Sequence, residues 1–125
     1  MSARTETYAL MQRLGSRGIN ATFEQANTLR RASKTLSSWA EKECGSDRGC
    51  VERDEETKRT YWLNASTGQR TPCLDLETGA LARVMNVCAE LGVWYYHQAD
   101  PRGCALYVSA EPLSDSDYNR GVAVY

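Results

Sequence analysis

Val93-Trp94-Tyr95-Tyr96-His97-Gln98-Ala99-Asp100-Pro101-Arg102-Gly103-Cys104-Ala105-Leu106-Tyr107-Val108 decides how this chain folds. Two runs rich in β-forming residues flank a turn signal, Asp-Pro-Arg-Gly. The Asp100 carboxylate can bond the turn backbone, Pro101 presets its own φ, and Gly103 supplies a positive φ. Together they predict a hairpin closed by a type I turn with a bulge. Strand alternation then places Trp94 and Tyr96 on one face of the sheet and Val93, Tyr95 and His97 on the other. At least one of those faces must be core, so part of the aromatic set is structural.

Working outward, Asp75 caps a helix expected from about residue 76 to residue 91, ended by Gly92. Its wide apolar arc, Leu81, Val84, Met85, Val87, Cys88 and Leu91, suits a helix laid on a sheet, with Arg83, Asn86 and Glu90 outside. A second helix is predicted from Thr22 to Gly45. Thr22 and Gln25 have capping-box spacing, and Gly45 can take the left-handed conformation that ends a helix. Ala26, Ala32, Leu36, Trp39, Ala40 and Cys44 lie within about 80° of Leu29 around the helix. Asn27, Arg30, Arg31, Lys34, Ser38 and Glu41 fall opposite.

A short first helix over Tyr8–Leu14 stops at Gly15 and Gly18. Residues 50–53 and 59–64 read as strands joined by a turn at 54–58. Ala65-Ser66-Thr67-Gly68 reverses the chain again, and Pro72 ends the last strand of this set. One helical turn begun by Ser114 over 113–119, and a final strand over 121–125, complete the reading. The expected fold is α+β: two or three helices packed on a small antiparallel sheet in two layers, as a single domain over residues 1–125.

The composition, 42% hydrophobic and 25% charged over 125 residues, is that of a chain able to bury its own core. No apolar run approaches the roughly 18 residues of a membrane helix, and the polar start, Ser2-Ala3-Arg4-Thr5-Glu6, lacks a secretory core. A cytoplasmic protein is expected. The net charge of −1 does not advertise a duplex-DNA binder. Five cysteines, irregularly spaced, predict reduced thiols rather than a disulfide framework. A zinc site drawn from Cys44, Cys50, Cys73, Cys104 and His97 is weighed and set aside, since the Cys44–Cys50 gap is wider than zinc knuckles use.

Catalytic signatures are equally thin. Neither GxxxxGK[ST] nor GxGxxG occurs, so no phosphate loop is written. His97, near Asp100 and Arg102 and across the hairpin from Cys104, has the residue types of a general base or Cys–His pair. The ordinary reading, a hydrogen-bonded strand histidine, is preferred. Tyr61, Trp62, Trp94, Tyr95, Tyr96 and Tyr107 offer stacking surface for unpaired bases. Arg30, Arg31 and Lys34 form a small basic patch on the outer side of the second helix. Glu52, Asp54, Glu55 and Glu56 make a short acidic stretch interrupted by Arg53 and Lys58.

Three blocks carry a resemblance: Leu29-Arg30-Arg31-Ala32 through Leu36 to Trp39-Ala40-Glu41-Lys42-Glu43-Cys44-Gly45; Glu52-Arg53-Asp54-Glu55; and Asp100-Pro101-Arg102-Gly103-Cys104-Ala105-Leu106-Tyr107. Over roughly residues 26–109 the chain resembles a group of small proteins encoded by tailed bacteriophages and prophages. The resemblance implies a phage-derived gene acting in a bacterial cytoplasm, and small phage proteins often work by binding, including inhibitors of CRISPR-type host defence. It carries over no catalytic residue. The expectation is a non-enzymatic binding module without cofactor or metal, directed at a host protein. Single-stranded nucleic acid is the alternative partner. The residues expected to make contact are Arg30, Arg31, Lys34, Trp62, Tyr95, His97 and Arg102.

Overall fold

The computed structural model describes residues 2–43, 49–54, 56–57, 60–72, 79–100, 103–114 and 116–124, and for 39–43, 49–53, 60, 98–100 and 103–105 the backbone only. Three α-helices are found among the described residues: α1 (Ala3–Gly15), α2 (Phe23–Glu43) and α3 (Ala80–Leu91). Six strands accompany them: β1 (Gly49–Arg53), β2 (Thr60–Asn64), β3 (Arg70–Pro72), β4 (Trp94–Asp100), β5 (Gly103–Ser109) and β6 (Val122–Ala123). A 3₁₀ turn, Tyr118–Arg120, precedes β6. The architecture is α+β. No helix among the described residues is long and apolar enough to cross a membrane.

The head of α2 forms as its sequence dictates. The Thr22 backbone N–H donates to Gln25 Oε1 at 3.0 Å, and the Gln25 N–H donates to Thr22 Oγ1 at 3.1 Å. Two donors that a helix start leaves orphaned are thereby satisfied. The predicted stripe follows, with Ala26, Leu29, Ala32 and Leu36 all fully buried. Gly92 ends α3 at φ +68, returning its N–H to the Ala89 carbonyl. Here the left-handed backbone is needed, and glycine takes it without strain.

Two helix starts differ from expectation. α1 begins at Ala3, not Tyr8, because Ser2 caps it by accepting the Thr5 N–H at 3.2 Å. α3 begins at Ala80, since Gly79, at φ −114 and ψ −124, stands outside helical geometry, and residues 76–78, where the helix is expected to start, lie outside the described residues. The expected cap Asp75 lies outside the described residues. The helical turn assigned to 113–119 is displaced to Tyr118–Arg120. Ser114 does anchor it, donating its N–H (2.7 Å) and its hydroxyl (2.8 Å) to Asp117 Oδ1.

Every neighbouring pair in the sheet is antiparallel, in the order β3-β2-β1-β4-β5-β6. β4 and β5 pair one to one from Trp94↔Ser109 to Asp100↔Gly103, without the expected bulge among these pairs. Pro101 and Arg102, the link between them, lie outside the described residues. Asn64 fixes the β2–β3 turn, its Oδ1 accepting the N–H groups of Ser66 and Thr67, and Gly68 takes φ +75. β1 and β4 share only Gly49↔Ala99 and Cys50↔Gln98 among the described residues.

α2 is the central helix, packed against α1, α3 and strands β4 and β5. Leu10, Leu14, Leu29, Leu36, Leu81, Leu106 and Val108 meet beneath it, each essentially without solvent contact. Each such side chain contributes about 1.5–3 kcal/mol through removal from water. Ser33, also buried, donates its hydroxyl to the Val124 carbonyl at 2.6 Å and ties the C-terminal segment to α2.

Candidate functional site

Direct pairing between β4 and β5 sorts their side chains without ambiguity. Tyr95↔Val108 and His97↔Leu106 face the helices, while Trp94↔Ser109 and Tyr96↔Tyr107 face away. On β2, Trp62 is buried on the helix side, which leaves half-buried Tyr61 and Leu63 on the other. The sheet face opposite the helices thus carries Tyr61, Leu63, Trp94, Tyr96 and Tyr107. One-sided antiparallel sheets ordinarily show polar residues to water.

These rings are organised rather than scattered. Tyr118, delivered by the 3₁₀ turn, stacks on Tyr96 with centroids 5.0 Å apart and planes 10° from parallel. It meets Tyr107 edge-on at 5.1 Å. Offset stacks and edge contacts of this kind add roughly 0.5–1.5 kcal/mol beyond burial. The Arg70 guanidinium lies 5.8 Å from the Tyr61 ring centroid, a cation–π placement. Trp94 stands beside the cluster with 48% of its surface open, the largest exposed apolar side chain on the sheet.

Several expected contact residues lie elsewhere. Arg30 is 6% exposed, not on an open helix face. α1 covers it: Nε donates to Thr7 Oγ1 at 3.0 Å, NH2 donates to Asn27 Oδ1 at 2.8 Å, and Glu6 lies 3.6 Å from NH1. A buried guanidinium persists because each of its edges is engaged. Trp62 and His97 are core residues, and Tyr95 is half-buried against the core, since their strand positions point at the helices. Arg102 lies outside the described residues. Only Arg31 and Lys34 reach solvent as expected.

Those two line a depression of 440 Å³ between α2 and α3, together with Asn27, Thr28, Thr35 and Arg83. The sequence reading did not single out Arg83. It sits on another helix, and only packing brings it near.

His97 lies in the core. Its ring is 2% exposed, no described residue bonds either ring nitrogen, and burial lowers its pKa to about 4. The ring is therefore neutral at pH 7 and shut away from solvent. Burial pushes the Cys88 thiol up to about 12, leaving it protonated and unreactive. Among the described residues no group of three or more His, Cys, Asp or Glu could hold a metal ion. Cys44 and Cys73 lie outside the described residues, as do the side chains of Cys50 and Cys104.

No protein family, curated protein or solved structure matches this chain.

Proposed function

We propose that the chain is a non-enzymatic binding module whose helix-free sheet face engages a protein partner. One observation carries this: an aromatic cluster of Tyr96, Tyr107 and Tyr118, flanked by open Trp94, occupies a face that folding alone leaves to water. Trp and Tyr bury large rigid surface at little entropic cost, and they dominate the energetics of protein interfaces. Exposed Arg70 lies over the Tyr61 ring of the same face, and exposed Arg120 ends the 3₁₀ turn that carries Tyr118, 4.0 Å from Asp117. The resemblance to phage proteins adds a setting, a bacterial cytoplasm, and a first choice of partner, a component of host defence. Single-stranded nucleic acid is less favoured: Arg30 and Trp62 are buried, Tyr118 covers one face of Tyr96, and the net charge is −1.

The test is affinity capture from bacterial lysate with cross-linking. Wild-type chain is expected to recover one protein reproducibly. Trp94→Ala should weaken that capture by about 30-fold, the cost of a typical hot-spot truncation. Repeated recovery of no protein, or equal recovery by the Trp94→Ala chain, overturns the reading.

A further inference from the structure

We infer that the depression between α2 and α3 is a second binding site, for the phosphate groups of a phosphorylated small molecule. Asn27, Thr28, Arg31, Lys34 and Thr35 follow one another at helical spacing along a single stripe of α2, and Arg83 of α3 closes the other side. Among the described residues the lining holds three cations and no carboxylate. This occurs in a chain with 16 acidic residues to 15 basic ones, where compensation is readily available.

Among the described residues these cations are incompletely compensated. Arg31 and Lys34 are like charges at i,i+3, which weakens a helix slightly. Lys34 reaches Glu6 at 3.5 Å, but that carboxylate also lies 3.6 Å from Arg30, so one anion serves two cations. Arg31 and Arg83 meet no carboxylate among the described residues. An unbalanced cationic recess of this kind gains most from an anionic ligand.

Neutral donors are also placed there. Asn27, one of the lining residues, is held in place because its Oδ1 accepts from the buried Arg30 guanidinium at 2.8 Å and from the Thr7 hydroxyl at 3.3 Å. Thr28 and Thr35 are further lining residues that carry hydroxyl groups. Arginine forks, an amide N–H and a hydroxyl are the set that phosphate oxygens take. A volume of 440 Å³ suits a small molecule, whereas a nucleic-acid backbone needs a longer basic track than these two helices display. The site therefore fits a ligand with a di- or triphosphate group.

Isothermal titration of the whole chain at low salt tests this with inorganic pyrophosphate, ATP and a short oligothymidylate. Pyrophosphate and ATP should each bind one to one and weaken as salt rises. Arg31→Gln and Arg83→Gln should each reduce affinity about tenfold or more, with unchanged melting temperature because both side chains are exposed. Trp94→Ala should leave this binding intact, separating the site from the aromatic face. Absence of heat at millimolar pyrophosphate and ATP overturns the proposal. So does binding indifferent to both arginine substitutions, or binding of the oligonucleotide alone.

Discussion

An imidazole sealed in the core with neither nitrogen bonded by a described residue makes His97 the most consequential single residue for pH behaviour. Burial disfavours its charged form and takes the folded pKa to about 4, against about 6.5 when unfolded. The unfolded chain therefore binds the extra proton first as pH falls. Stability from this group is complete above about pH 6.5 and falls by on the order of 3 kcal/mol by pH 4. His97→Leu should flatten that acid limb and leave stability at pH 7 equal or about 1 kcal/mol higher, since unpaired polar atoms are removed. Urea titrations between pH 4 and 7 measure it, and an unchanged slope in the variant refutes it. Asp54 and Asp117, held below their usual range by hydrogen bonds from Thr57, Glu56 and Ser114, act only at still lower pH.

Single residues also show where sequence reasoning ran out. Arg30 lies about 100° around α2 from Leu29, just beyond the apolar arc, where a charged residue reads as surface. Its partners Thr7 and Glu6 come from another helix, and nothing within α2 announces them. Trp62 and His97 stand among the expected contact residues because alternation sorts side chains into two faces without saying which one the helices cover.

Elements with local punctuation were the legible ones. The Thr22–Gln25 cap, the buried stripe of α2, the Gly92 stop and strands β1 to β5 can all be read from neighbours in the chain. Replacing Thr22 by Ala removes one half of the reciprocal cap and should lower stability by about 1 kcal/mol. A urea midpoint identical to wild type contradicts it. α1 was only half visible: its first turn is polar, and Ser2, Thr5 and Glu6 read as a tail until α2 is seen to use Glu6 and Thr7 as partners. The cationic depression was visible on one side only, since Arg83 follows Arg31 by 52 positions and belongs to a different helix.

For the whole molecule, the two-layer α+β class followed from an alternating hairpin placed among amphipathic helices, and the structure agrees. Strand order did not follow, because it depends on how β1 finds β4. Among the described residues that junction, Gly49↔Ala99 and Cys50↔Gln98, joins two three-stranded ribbons through two residue pairs. Native-state hydrogen exchange should find the amides of β1–β3 opening together at lower free energy than those of β4, β5 and α2. Uniform protection across all six strands is the contrary result. The seam also divides the aromatic face, with Tyr61 and Leu63 on one ribbon and Trp94, Tyr96 and Tyr107 on the other. A guest that grasps both sides acts as a splint, and its grip is readable as slowed exchange far from any atom it touches.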